Sequence, residues 1–444
     1  MAMVMIDFTI VSISVTTIQH DLDLSATGAQ WIVTAYALAT AAFIALGGRL
    51  GDIVGHKRIV ATGIVVFASA SLLCGLTPDG WGSEPWLIVF RVLQGVGGAL
   101  LIPSTTVLVL NAFPVEERGK GLATFFIVAG LFTAIGPIAG SYLTEYWTWR
   151  AIFWINVPVA LLSLTELALI KLADVSNPAR VDWRGALLLV AGMGLTVLGL
   201  QQSSVWGWGS VATIGSIAVG IVLLAAFVAV ERGIESPLID VRGLAANRPF
   251  AVDNILTLLL FFTWLAVFFF GSMYFQIAVG QSPTRAGFSI LTMFYSFFIA
   301  SRIGGGMLDR FGAKHPTTLG MLGIAIGLTL WASELPDLSH SATVPGMLVT
   351  GAGFGLAMTP LNTDALNRLP AKVRGEASGV IQTFRNFGSA LGMAILGTIV
   401  LTEADDKGFA DAVQTAFYVG AGVMFAAFLI ARLFMSAGKP ADVE

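Results

Sequence analysis

Three ionisable side chains, Asp7, Arg91 and Arg385, stand inside long apolar runs of this 444-residue sequence. At the centre of a bilayer such a group costs about 2.5–3.5 kcal/mol even on the lenient insertion scale, so it is retained for a function and has a partner. A carboxyl withdrawn from water can load and release a proton, and a guanidinium beside it favours the charged form. In RVLQG, Gln94 and Gly95 follow Arg91 by three and four residues and share its helical face. Arg91 also reads as an interfacial residue whose stem snorkels, and Asp7 as an ordinary residue near the start of the chain. Arg385, within TFRNFGSALG, is either a hub bonded to carbonyls or part of a cavity. Asp253 and Glu166 lie nearer helix ends, where solvation accounts for them.

Other chemistries find little support. One cysteine, Cys74, excludes a disulfide framework and a cysteine-based metal site. The four histidines, His20, His56, His315 and His340, fall in connections, and none pair at ligand spacing. No GxxxxGK[ST] phosphate loop is present. No metal, cofactor, enzymatic activity or nucleic-acid partner is expected.

The elements that must position these residues are membrane helices. The chain is 56% hydrophobic and only 11% charged, with a mean hydropathy of +0.83. Runs such as IGSIAVGIVLLAAFVAV approach the roughly 20 apolar residues needed to cross a bilayer. The opening MAMVMIDFTIVSISVTTI lacks a basic region and a small-residue cleavage site, so it reads as a span rather than a cleaved leader. Fourteen spans are expected, near 1–18, 30–46, 59–76, 86–110, 121–143, 151–171, 185–202, 210–230, 250–277, 286–303, 316–333, 344–363, 376–401 and 413–435.

The positive-inside rule tests that count. With the N-terminus in the cytoplasm, 19 of the 24 Lys and Arg residues fall in cytoplasmic segments. Only Arg150, Arg285 and Lys407 fall outside, and Arg91 and Arg385 lie within spans. Both ends are therefore expected in the cytoplasm. Trp31, Trp81, Trp86, Trp147, Trp149, Trp206, Trp208 and Trp331 fall at outer helix ends, as an interfacial aromatic belt requires.

A repeat runs through the chain. GGRLGDIVGHKR aligns with GGGMLDRFGAKH at an offset of 257, which sets Gly48 on Gly305, Asp52 on Asp309, Gly55 on Gly312 and Lys57 on Lys314. At 256, Pro114 falls on Pro370, Arg118 on Arg374, Gly119 on Gly375 and Gly136 on Gly392. Two parallel six-helix halves explain this, with two spans inserted between them, and repeated halves are common in secondary transporters. The divisions are 1–171, 172–248 and 249–444.

These residues carry a family resemblance. GGRLGDIVGHKR, RVLQGVGGALLIPS, IGPIAGSYL and VDWRGALLL together resemble the fourteen-helix drug–proton antiporter branch of the major facilitator superfamily, over nearly the whole chain. The resemblance implies an all-α membrane protein with the major facilitator fold. It implies proton-coupled efflux of hydrophobic or cationic drug-like compounds across a bacterial inner membrane, driven by the proton gradient without a cofactor. Export of an endogenous metabolite by the same antiport is the alternative, and a membrane sensor a more distant one. The expected partners are a small hydrophobic substrate, protons and the bilayer; the expected state is a monomer, alone or with a periplasmic adaptor.

Residue by residue, the resemblance implies proton coupling by Asp7 and Arg91 in a central cavity. It implies a cytoplasmic latch at Gly48, Arg49, Asp52, Gly55, Lys57 and Arg58, with Asp309, Arg310 and Lys314 in the second copy. Asp52 is expected just past the end of helix 2, within reach of Arg49, Arg58 or a neighbouring loop. Gly136, Pro137 and Gly140 form the antiporter motif, where Pro137 is expected to kink helix 5. The aromatic ninth span adds Trp264, Phe268, Met273 and Tyr274 to Gln94 and Arg385 as cavity lining, since aromatic and Met surfaces adapt to many shapes and can stack on cations.

Overall fold

The computed structural model describes residues 2–113, 118–169, 182–234, 237–239, 241–369 and 374–438. Pro114, Pro370, Lys171, Arg180, Lys372, Lys439 and the 172–181 part of the expected inner connection lie outside the described residues. No strand occurs among the described residues. The helices are α1 (Ala2–Asp21), α2 (Ala26–Val54), α3 (His56–Gly75), α4 (Ser83–Ala112), α5 (Arg118–Tyr146), α6 (Ala151–Trp154), α7 (Asn156–Leu169) and α8 (Trp183–Trp206). They continue with α9 (Val211–Glu231), α10 (Val241–Ala246), α11 (Arg248–Ile277), α12 (Pro283–Phe311), α13 (Lys314–Ser333), α14 (His340–Asn367), α15 (Arg374–Lys407) and α16 (Phe409–Phe434). Among the described residues, thirteen stretches are long and apolar enough to cross a membrane.

The helices run longer than the apolar runs that reveal them. At 30 residues α11 is about 45 Å long, against a hydrocarbon thickness of about 30 Å. The charged signature around Asp52 is consequently helical: α2 continues to Val54, and Asp52 occupies its last turn rather than a loop after it. Gly55 alone separates α2 from α3, at φ 107°, a conformation that favours glycine. The second copy behaves alike, with α12 running to Phe311 and Gly312 at φ 76°.

The chain forms two compact units, residues 1–195 with 219–239, and residues 196–218 with 240–444. Within the first, α2 and α3 pack on α4, and α1 packs on α5. Within the second, α12 and α13 pack on α14, and α11 packs on α15. The repeat is therefore tertiary as well as sequential. A Cβ on Gly97 would collide with the Phe67 backbone, and one on Gly353 with Ile324; these positions are related by the same offsets. Gly136 meets Thr9 and the Ile6 carbonyl on α1, while Gly392 meets the Phe262 carbonyl on α11. Small residues let apolar helices approach closely where the hydrophobic effect cannot press them together.

Two of the eight belt tryptophans are core residues instead. Trp331 is fully buried, its ring edge-on to Phe417 at 5.0 Å. Trp149 is 3% exposed and donates its indole N–H to Asp21 at 2.6 Å. Arg150 beside it joins Asp21 (3.2 Å) and Asp79 (2.6 Å), so its charge ties two connections of the first unit together.

Candidate functional site

The first unit holds a closed polar network built on six helices. Asp7 of α1 has no solvent exposure. Its Oδ2 accepts from Arg91 Nη1 at 2.6 Å, and its Oδ1 accepts from Gln94 Nε2 at 2.7 Å and Asn156 Nδ2 at 3.5 Å. Arg91 and Gln94 both project from α4, and Arg91 Nη1 also donates to Gln94 Oε1 at 2.6 Å. Arg91 Nε donates to the Ile32 carbonyl of α2 at 2.7 Å, and the guanidinium lies 4.5 Å from the Tyr36 ring centre. Ser71 of α3 accepts from Gln94 (3.2 Å) and Asn156 (2.9 Å), and donates to the Phe153 carbonyl at 2.9 Å. A buried ion pair persists only where its remaining donors and acceptors are satisfied. Here Gln94, Asn156 and the Ile32 carbonyl supply them.

Local sequence explains the positions. Pro158 has no N–H to offer the Trp154 carbonyl, and the helix is interrupted at Ile155, so α7 begins at Asn156. Asp7 is set by the approach of α5 to α1: Gly136 faces Thr9 and Gly140 faces Ile10. Thr9 Oγ1 donates to the Thr133 carbonyl across that seam at 3.1 Å. Pro137 lies inside α5 without ending it. Gly140→Val should therefore destabilise the protein by about 1–3 kcal/mol through overpacking, as read by thermal unfolding. Gly215→Val, where an added Cβ meets open space, should not.

The latch residues are placed differently from expectation. Asp52 Oδ1 pairs with His56 Nε2 at 3.2 Å, one turn on, rather than with Arg49 or Arg58. His56 itself is buried, with Nδ1 3.4 Å from Ser104 Oγ on α4. Gly48 lies against Pro103 of α4. Lys57 and Arg58 fall in the first turn of α3. Asp309 and Arg310 are exposed and form no ion pair among the described residues, and Lys314 opens α13. In this second copy Gly312 packs against the backbone of Gly438.

The aromatic residues of α11 are packed among neighbours. Trp264 lies 4.9 Å from Phe354, 5.4 Å from Phe297 and 5.7 Å from Phe294, and Phe268 lies 5.7 Å from Phe294. Tyr274 commits its hydroxyl to the Leu335 carbonyl at 2.8 Å, and Met273 is buried. Arg385 stands apart from them, over Phe261.

Helix-end solvation accounts for the exposed Glu166 but not for Asp253, which is 1% exposed. The charged groups acting on it are Asp364 and Arg368 of the α14 end, where Arg368 Nε binds Asp364 Oδ2 at 2.7 Å. Asp253→Asn leaves an uncharged amide facing the Asp364 carboxylate and should hold or raise the unfolding temperature. Asp364→Asn strips Arg368 of its carboxylate and should cost about 1.5–3 kcal/mol.

Sequence reasoning missed Ser71, Tyr36 and Asn156. Asn156 carried a signal, a lone amide in FWINVPVALL; Ser71 and Tyr36 look like ordinary span residues.

Comparison with known proteins agrees with this architecture. The chain is 33% identical over 414 residues to a tetracenomycin C resistance and export protein of Streptomyces glaucescens, covering 91% of this chain and 74% of that one. It is 31% identical over 371 residues to multidrug resistance protein 3 of Bacillus subtilis, covering 83% and 72%. Its fold matches the crystal structure of a D-xylose–proton symporter with a TM-score of 0.73 at 15% identity, covering 100% of this chain and 97% of that chain. The family profile described as Major Facilitator Superfamily matches residues 1–393. The chain belongs to the major facilitator superfamily and is a multi-pass membrane protein of the transporter type, with drug-resistance and export proteins among its relatives.

Proposed function

We propose that this protein exports hydrophobic, drug-like compounds across a bacterial inner membrane in exchange for protons, by alternating access and without a cofactor. The observation that carries the reading is the Asp7 carboxylate, fully buried and held by Arg91, Gln94 and Asn156. A proton on Asp7 cancels the charge that Arg91 neutralises. Gln94 bridges the two residues, accepting from Arg91 and donating to Asp7. It keeps a partner for Arg91 when the carboxylate is lost, so protonation rearranges the network without orphaning the guanidinium. Bound substrate that favours the unprotonated arrangement expels the proton, and by linkage the proton expels substrate. One charge moved through 100 mV supplies about 2.3 kcal/mol, enough for roughly a fiftyfold gradient.

The arrangement proposed has fourteen spans, α5 among them, in two six-helix halves with α8 and α9 inserted, and both termini in the cytoplasm. In a Cys74→Ala background, Ser204→Cys should react with an impermeant thiol reagent from outside and Ser176→Cys should not; equal labelling removes this topology. The reading itself is tested in inverted vesicles loaded by a proton gradient, with a dye panel and a pH-sensitive lumenal probe. Substrate movement coupled to proton counterflow is expected. Transport indifferent to collapse of the gradient would overturn it.

A further inference from the structure

A recess in the second unit is lined by Thr257, Leu260 and Phe261 of α11, Met358, Leu361 and Asn362 of α14, and Ile381 and Arg385 of α15. Its walls are mostly apolar. Arg385 is the one charged residue in that lining. Among the described residues its side chain makes a single long hydrogen bond, Nη1 to Gln382 Oε1 at 3.4 Å, and it lies 4.2 Å from the Phe261 ring centre. It has no carboxylate partner among the described residues. A guanidinium carries five N–H donors in a planar fork that matches a carboxylate, so most of its donor capacity is unspent. Asn362, on the facing helix, makes no side-chain hydrogen bond among the described residues. The ordinary occupants of such a position, a structural hub or one half of an ion pair, would show bonds to backbone carbonyls or to an acid, and neither is seen among the described residues.

We infer that this recess is an anion subsite, which takes the acidic group of an amphiphilic substrate on Arg385 and Asn362 and its apolar body on Leu260 and Met358. The inference rests on the export reading above and narrows its substrate class. An unpaired cation inside a membrane span repels a cationic cargo and is itself neutralised by an acidic one. The ring of Phe261, already occupied by the guanidinium, is not free to stack on a substrate cation.

The test is binding to purified protein in nanodiscs, with no gradient applied, using three probes on one frame: pyrenebutyrate, pyrenebutanol and pyrenebutyl-trimethylammonium. The wild type should bind the carboxylate at least about tenfold more tightly than the alcohol, the range expected of a charge-assisted hydrogen bond. The ammonium should bind most weakly. Arg385→Gln should erase the preference for the carboxylate and hold the alcohol within about twofold, and that retained binding also shows that the variant is folded. Arg385→Lys should keep part of the preference, and Asn362→Leu should lose a smaller part of it. Wild-type protein that binds the ammonium as tightly as the carboxylate, or an Arg385→Gln variant that still prefers the carboxylate, overturns the inference. Because no gradient is involved, a failure of proton coupling in vesicles would sink the antiport reading and leave this measurement standing.

Discussion

Asp7→Asn abolishes uphill, proton-driven efflux and spares downhill exchange of substrate: this is the expected result with the largest effect. Asparagine keeps the shape of the side chain and an oxygen for Arg91 Nη1. It cannot change charge, so the alternation on which coupling depends is lost. Its amide N–H groups would also face Gln94 Nε2 and Asn156 Nδ2, which are donors to Asp7 Oδ1 in the native network. Turning the Gln94 amide would only move the mismatch to Arg91 Nη1, which donates to Gln94 Oε1, so the variant should lose some thermal stability while remaining folded. The decisive measurement is proton release on adding substrate to solubilised protein at several pH values. Wild-type protein should release protons and Asp7→Asn should not. Release equal to the wild type would show that the carrier is elsewhere, with Asp253 the next carboxyl to examine.

The second large effect is expected at Arg91, where stability and coupling fail together. Arg91→Ala leaves the Asp7 carboxylate buried without its counter-ion, a change that typically costs about 3–5 kcal/mol. It also frees the Ile32 carbonyl and removes the cation from the Tyr36 ring. Arg91→Lys should recover only part of this. An ammonium can reach Asp7, but it lacks the fork that serves Asp7, Gln94 and the Ile32 carbonyl at once. The double variant Asp7→Asn with Arg91→Ala should be more stable than the sum of the single losses predicts, because removing both charges leaves neither orphaned. Denaturant unfolding of all three proteins in one detergent reads the coupling. Strict additivity would mean that the 2.6 Å pair contributes nothing to the folded state.

Much of this was legible along the chain. Hydropathy announces the spans because every backbone polar group in a bilayer must be satisfied within its own helix, which makes each span a long apolar run. The intramembrane charges stand out for the same reason: each is expensive, so Asp7, Arg91 and Arg385 are visible without an alignment. The spacing of Arg91 and Gln94 fixes a shared face once the helix is granted. The repeat of Gly136 on Gly392 is likewise written in the sequence, since a close approach admits no side chain.

Only the tertiary structure decided the rest. The helix end around Asp52 lies later than the apolar run suggests, because charge and glycine mark where hydropathy falls, while the helix itself continues to Val54. Trp149 and Trp331 have belt-like positions in the chain, but burial is set by what packs alongside. Ser71 and Asn156 became parts of the Asp7 site through the meeting of α1, α3, α4 and α7, a contact between residues up to 149 apart that no local pattern records. Asp253 and Arg385 show the same limit most plainly. Sequence identifies each as an ion in an apolar run; whether it has a partner depends on which side chains the neighbouring helices bring within a few ångströms, and that is a property of packing alone.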